Sequence, residues 1–159
     1  MDNTWMTHAL ELAKKGGSNV FPNPQVGAVI VKNNQIIGQG YHQVFGGPHA
    51  EIEAFNSAND DVSGATMYVT LEPCSHYAKT PPCAKAIIDK GIKKVVIATL
   101  DPNPLVSGKG VKMLKDAGID VEIGNNKDQA DMLNQHFFYY IKNKIPFVTV
   151  KMATTLDGK

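Results

Sequence analysis

The sequence predicts an α/β layer fold with a largely parallel portion of sheet, and three observations carry the prediction. After an opening pair of short apolar runs joined by a turn, stretches with helical spacing alternate with short apolar strands, the pattern of β–α–β units. The length, 159 residues, is that of one domain, and such a chain buries roughly 68–70% of its unfolded surface, enough for a core without staples. The composition, 43% hydrophobic and 19% charged, excludes a disordered tail, a fibre and a disulfide-dense miniprotein.

The elements follow in order. Met6, Leu10 and Ala13 recur at helical spacing between Thr4 and Lys15, and Gly16-Gly17 ends that helix. Phe21-Pro22-Asn23-Pro24 is a rigid, non-helical stretch fixed by its prolines. Val26–Val31 reads as a buried strand, Asn33-Asn34 as a turn and Ile36–Tyr41 as the returning strand of a hairpin. A helix is expected from His49 to Ala58, after Gly46-Gly47-Pro48, and a strand from Ala65 to Leu71. A helix spans Pro82–Lys90, with Pro81-Pro82 at its start and Gly91 at its end. Strands 94–100, 119–123 and 147–151 alternate with helices 109–117 and 128–143. His8 and His136 sit in helical segments and read as structural or solvated, and Trp5 as a packing residue.

The charge balance narrows the function classes. Sixteen basic against 15 acidic residues leave a net charge of +1, which is no electrostatic footprint for nucleic acid. No apolar run reaches the roughly 18 residues of a membrane span, and the start, Met-Asp-Asn-Thr-Trp-Met, lacks the basic and apolar regions of a signal peptide. A cytoplasmic protein is the expectation. In a reducing compartment the two cysteines, Cys74 and Cys83, point to metal binding or redox chemistry rather than a disulfide.

With His49, these cysteines make a candidate set for one metal ion. A catalytic zinc takes three protein ligands and leaves a fourth position to water, and one imidazole with two thiolates neutralises the dication. His49 and Cys83 both sit at expected helix starts, whose partial positive charge favours thiolate. Glu51 lies two residues after His49. Within a helix such side chains diverge by about 200°, but a histidine in the irregular entry lets both reach one pocket. A carboxylate there suits hydrolytic deamination, taking a proton from the attacking water and returning protons to the ring nitrogen and the departing amine. H-x-E with P-C-x-x-C is the signature of zinc nucleobase deaminases; here His49-Ala50-Glu51 and Pro73-Cys74 are present, but eight residues separate the cysteines. Singly, each residue has a plainer reading: His49 a cap, Glu51 a solvated helix face, the cysteines inert buried thiols.

Three motifs, Asn23-Pro24-x-Val26-Gly27-Ala28-Val29-Ile30-Val31, His49-Ala50-Glu51 and Glu72-Pro73-Cys74-Ser75-His76-x-x-Lys79-Thr80-Pro81-Pro82-Cys83, together resemble the pyrimidine deaminase domain of the bifunctional riboflavin-biosynthesis deaminase/reductases. Asp101-Pro102-Asn103-Pro104 and Gly108-Lys109-Gly110 look like the family's next motif, and the match covers residues 1–145. The long insert between the cysteines separates this family from general nucleobase deaminases.

The resemblance implies a three-layer α/β/α cytidine-deaminase-like sandwich with a central mixed sheet. It implies a zinc hydrolase that removes the 2-amino group of a diaminopyrimidinone carrying a ribosylamino 5-phosphate, giving the uracil-type product and ammonia. His49, Cys74 and Cys83 would hold Zn²⁺ and Glu51 would shuttle protons. Asn23, His42, His76, Lys79, Asp101 and Asn103 match positions lining the substrate pocket. Asn23 offers a donor and an acceptor to a pyrimidine edge, Lys79 and His76 suit a carbonyl or phosphate, and Asp101 and Asn103 suit ribose hydroxyls. Asn23 and Asn103 read equally as turn residues between prolines, Asp101 as a loop cap and His42 as an ordinary strand-end residue. Ala78 stands where the family commonly has glycine; if the backbone there needs positive φ, alanine costs roughly 1 kcal/mol.

Residues 146–159 resemble a linker and the opening of the family's reductase domain. Reductase activity and its NADPH site are therefore expected to be absent from this chain. The implied partners are the small phosphorylated pyrimidine and, in the full-length protein, other copies of itself, with no nucleic acid and no membrane. Three other readings are a nucleic-acid or nucleoside base deaminase, a structural zinc module closed by a fourth ligand (His76 being the nearby candidate), and a folded but inactive fragment.

Overall fold

The computed structural model describes residues 4–76, 81–103 and 106–158. Among them run α1 (Thr4–Lys14), a 3-10 turn (Gly17–Val20), β1 (Gly27–Lys32), β2 (Gln35–Tyr41), α2 (Ala50–Asn56), β3 (Thr66–Leu71), α3 (Cys83–Asp89), β4 (Lys94–Thr99), α4 (Lys109–Asp116), β5 (Asp120–Ile123), α5 (Lys127–Leu133) and α6 (Gln135–Asn143). The strands form one sheet in the order β2-β1-β3-β4-β5. β1 is antiparallel to β2 and β3, and β3, β4 and β5 are parallel. The expected mixed sheet and hairpin are present. Asn33 and Asn34 both take positive φ, 52° and 60°, as a tight hairpin turn requires.

Successive residues of a strand face opposite sides, and the core divides accordingly. Ala28, Ile30, Met67, Val69, Val95 and Ile97 pack on one side with Ala50 and Ala54 of α2, Ala84 and Ile87 of α3, and Val111 and Leu114 of α4. Val29, Val31, Val96 and Ala98 pack on the other with Met6, Ala9, Leu10 and Leu12 of α1 and Ala130 of α5. This is the three-layer sandwich. α2 lies very close to β2, because a Cβ at Gly40 would stand 2.5 Å from both the Ala54 nitrogen and the Glu53 Cβ.

Two expectations are corrected. The helix over 128–143 is two helices, parted at Asn134. The Asn134 side chain is tied to the backbone before β1, its Oδ1 accepting from the Gln25 N–H at 2.8 Å and its Nδ2 donating to the Gln25 carbonyl at 2.9 Å. The strand over 147–151 is absent: these residues join no ladder, and Val148 and Val150 are 75% and 76% exposed. β-branched residues favour a strand only where a partner offers hydrogen bonds and a packing surface. Phe147 instead sets its ring against His136 and Tyr139 of α6.

Candidate active site

The topology makes the site. Because β1 runs antiparallel, the start of β1 and the ends of β2, β3 and β4 all lie at one end of the sheet, where ligands of open α/β sheets bind. Asn23 precedes β1, His42 follows β2, Cys74 follows β3 and Asp101 follows β4. A cavity of about 240 Å³ opens there, lined by Asn23, His42, His49, Glu51, Cys74, His76 and Asp101 among others.

His49, Cys74 and Cys83 offer ligand atoms that all lie within 4.8 Å of one another. His49 is extended (φ −74°, ψ 161°) and immediately precedes α2, so its ring turns back beside Glu51 in the first turn. Its Nδ1 is 3.7 Å from Cys74 Sγ and 3.3 Å from Cys83 Sγ. A tetrahedral zinc with Zn–S of about 2.3 Å and Zn–N of about 2.0 Å holds nitrogen and sulfur about 3.5 Å apart. The donor set fits zinc in type and in spacing. Cys83 opens α3, and its backbone N–H donates to Cys74 Sγ at 3.2 Å. A hydrogen bond from the Cys83 thiol draws Cys74 down to about 4, with His49 adding to the fall. The same bond, with burial, pushes Cys83 up, and the bond to Cys74 raises His49. One thiolate is thus prepared for ligation.

Glu51 is only 3% exposed. Burial pushes its carboxyl up to about 7, and the charge on Cys74 adds to the rise, which suits a group that must both take and give a proton near neutrality. His42 is buried and engaged at both ring nitrogens: Nδ1 lies 2.8 Å from the Pro48 carbonyl and Nε2 lies 3.1 Å from Asn23 Nδ2. The carbonyl requires a proton on Nδ1, so Nε2 accepts from the Asn23 amide. His42 also meets the His49 ring edge-on at 5.7 Å. Asp101 Oδ1 accepts the Asn103 N–H at 2.8 Å, and burial raises the Asp101 carboxyl above its ordinary value.

Asn103 is not among the cavity-lining residues, and Lys79 and Ala78 lie outside the described residues. Glu72, Val106 and Phe137 line the cavity and were not singled out as site residues by the sequence. Phe137 has no local signal, because helical spacing makes it and Phe138 equal candidates for the core. Glu72 had one: a carboxylate beside the strand end that leads to Cys74. His8 and His136 lie away from the cavity, His8 at 2.7 Å from Gln39 Oε1 on the surface, and Trp5 packs against the α1 side of the core.

The pattern described as the cytidine and deoxycytidylate deaminase zinc-binding region matches residues 1–99. The chain belongs to this zinc-binding deaminase family. Within the family it is 55% identical over its whole length to the riboflavin biosynthesis protein RibD of Aquifex aeolicus, of which it covers 45%. It is 49% identical over 145 residues to the diaminohydroxyphosphoribosylamino-pyrimidine deaminase of Buchnera aphidicola (subspecies Schizaphis graminum), covering 91% of this chain and 99% of that protein. The solved diaminohydroxyphosphoribosylaminopyrimidine deaminase/5-amino-6-(5-phosphoribosylamino)uracil reductase of Thermotoga maritima superposes with a TM-score of 0.95 at 52% identity, over 99% of this chain and 46% of that one. The chain thus spans less than half the length of the Aquifex RibD and of the Thermotoga deaminase/reductase, and nearly all of the Buchnera deaminase. The cytidine-deaminase-like fold and the zinc-dependent deaminase domain stand on these likenesses together with the donor cluster. Among the described residues no helix is long and apolar enough to cross a membrane.

Proposed function

We propose that this chain catalyses the hydrolytic deamination of a diaminopyrimidinone bearing a ribosylamino 5-phosphate, releasing ammonia and the uracil-type product. The observation that carries the reading is a buried carboxyl, Glu51, beside three donors of zinc type and spacing, with Glu51, His49 and Cys74 on the wall of a cavity. The substrate class follows from the relative that this chain matches almost end to end, the diaminohydroxyphosphoribosylamino-pyrimidine deaminase of Buchnera aphidicola.

In this reading His49, Cys74 and Cys83 hold zinc, which when bound supplies Lewis acidity that makes water a nucleophile near neutral pH. Glu51 accepts a proton from the attacking water at one carboxylate oxygen and passes it to the ring nitrogen next to the amino-bearing carbon. The second proton of that water goes by the same carboxylate to the amino group, which leaves as ammonia while the new C–O bond becomes the product carbonyl. Burial of Glu51 serves both transfers, because a group near neutrality is neither too weak a base nor too weak an acid. Asn23, its amide oriented by His42, presents an acceptor oxygen to the pyrimidine edge. Asp101 faces the ribose hydroxyls, and His76 on the exposed side of the cavity meets the phosphate; Lys79, outside the described residues, is assigned to the phosphate by its sequence motif alone. The deaminase domain is assigned residues 1–145, with 146–159 as the linker that follows it.

Ammonia release by the zinc-loaded chain with this substrate, compared with Glu51→Gln, tests the proposal. Turnover in the wild type that vanishes in the variant at unchanged zinc content supports it. Equal activity of the two overturns the role of Glu51, and a silent wild type with full zinc overturns the substrate.

A further inference from the structure

We propose that Glu72 is a positioning residue of this site: its buried carboxylate gathers the end of β3, the loop carrying Asp101 and the first turn of α4 into one corner, and so sets where Asp101 faces the cavity. The inference rests on the functional reading above.

Four backbone N–H groups converge on this one side chain. Oε2 accepts from Asp101 at 3.3 Å and Gly108 at 3.0 Å, and Oε1 accepts from Gly110 at 3.0 Å and Val111 at 3.3 Å. The Glu72 backbone N–H in turn donates to the Thr99 carbonyl at 3.0 Å. A buried carboxylate without partners is costly; here charge-assisted bonds offset that cost. The first N–H groups of a helix have no partner within it and favour negative charge. The N-cap residue of α4 is Gly108, which has no side chain to cap with, and the Glu72 carboxylate, far earlier in the chain, takes that place.

The two glycines of Gly108-Lys109-Gly110 have separate reasons to be there. Gly108 takes a φ of 79° as the chain turns into α4. A Cβ at Gly110 would stand 2.0 Å from the Pro73 carbonyl oxygen and 3.2 Å from Glu72 Oε1. Only a glycine lets the first turn of α4 seat on Pro73, the residue between Glu72 and Cys74. The corner then passes its order outward: Glu72 holds the Asp101 N–H, and the Asp101 carboxylate holds the Asn103 N–H. Glutamine would keep the size of this side chain but replace one acceptor oxygen by an NH₂ facing N–H donors.

The test is ammonia release from the diaminopyrimidinone ribosylamino phosphate by wild type, Glu72→Gln, Asp101→Ala and the double variant, with zinc content measured in each. Glu72→Gln is expected to keep its zinc and raise KM about tenfold, the effect of losing charge-assisted hydrogen bonds, with kcat changed far less. Because Glu72 acts through Asp101, the double variant should be no worse than Asp101→Ala alone. An unchanged KM at full zinc, or single effects that multiply in the double variant, overturns the inference. If Glu72→Gln does not fold, Glu72→Asp, which keeps the charge but withdraws it by one methylene, is read by the same criteria. A wild type that releases no ammonia overturns the functional reading instead. The inference is then decided by amide hydrogen exchange: faster exchange at Asp101, Gly108 and Gly110 in Glu72→Gln supports it, and wild-type rates there overturn it.

Discussion

On one side of the sheet, α2, α3 and α4 bury Ala50, Ala84 and Val111 at or near their starts, and the same starts carry or adjoin His49, Glu51, Cys83 and the Glu72 corner. On the other side, α1 and α5 bury Met6, Leu10 and Ala130 and carry none of the proposed ligands or the proton shuttle. Both sides use the same apolar packing, so burial does not separate them. The difference lies in where the helices begin. Those following β2, β3 and β4 start at the sheet end where the strands open, and close contacts fix them: Gly40 against Ala54 in the body of α2, the Cys83 N–H on the Cys74 sulfur at the start of α3, and Gly110 against Pro73 at the start of α4. Substitutions on the two sides should therefore fail differently.

The largest effect is expected from Glu51→Gln. General acid–base groups contribute typically about 10²–10⁴-fold, so kcat should fall by about 10³, or about 4 kcal/mol, with little change in Tm or metal content. Steady-state ammonia assays beside zinc analysis check both halves. Cys83→Ser comes next. Loss of a direct ligand should weaken zinc binding by more than the about 10–100-fold seen for outer-shell partners, and it should lower Tm because binding energy is also folding energy. Competition with a chelator reads the affinity, and unchanged metal retention would remove Cys83 from the ligand set.

Met6→Ala breaks the opposite side. Met6 is wholly buried under the sheet, and such truncations cost about 2–5 kcal/mol. Denaturant unfolding should register that loss while kcat of the folded protein stays near wild type; a comparable loss in kcat would erase the distinction between the sides. Gly40→Ala sharpens it. The added methyl would press on α2 at 2.5 Å, and overpacking costs about 1–3 kcal/mol. Because α2 carries Glu51, stability and kcat should fall together.

The smallest effect is a pH dependence at Asp101. Its carboxyl is raised in the folded chain, chiefly by burial. A raised carboxyl stabilises the fold below its ordinary value near about 4 and loses that contribution as pH rises through the folded value. Asp101→Asn should therefore gain Tm relative to wild type between pH 4 and pH 8, and thermal melts across that range with a flat difference would contradict the sign.

Much of this was legible in the residues. Alternation between strand and helix spacing marked every strand of the sheet, the Asn33-Asn34 pair marked its hairpin, and His49-Ala50-Glu51 with Pro73-Cys74 and Cys83 marked the cluster. Misreadings came where a partner decides. Phe147–Lys151 has the composition of a strand but no neighbour to pair with, and helix 128–143 breaks because Asn134 turns its amide to Gln25, 109 residues earlier. Phe137 and Glu72 became cavity residues only through the way the elements converge.

Layer class, strand and helix order and donor types could be read from the residues alone, because periodicity, turn chemistry and ligand chemistry are properties of short stretches. Tertiary packing alone brings Nδ1 of His49 to the two sulfurs, the Asn23 amide to Nε2 of His42, and the Glu72 carboxylate to a helix start 36 residues beyond it. Those are distances between segments far apart in the chain, and they exist only once a sheet with an antiparallel β1 brings four strand ends to one place.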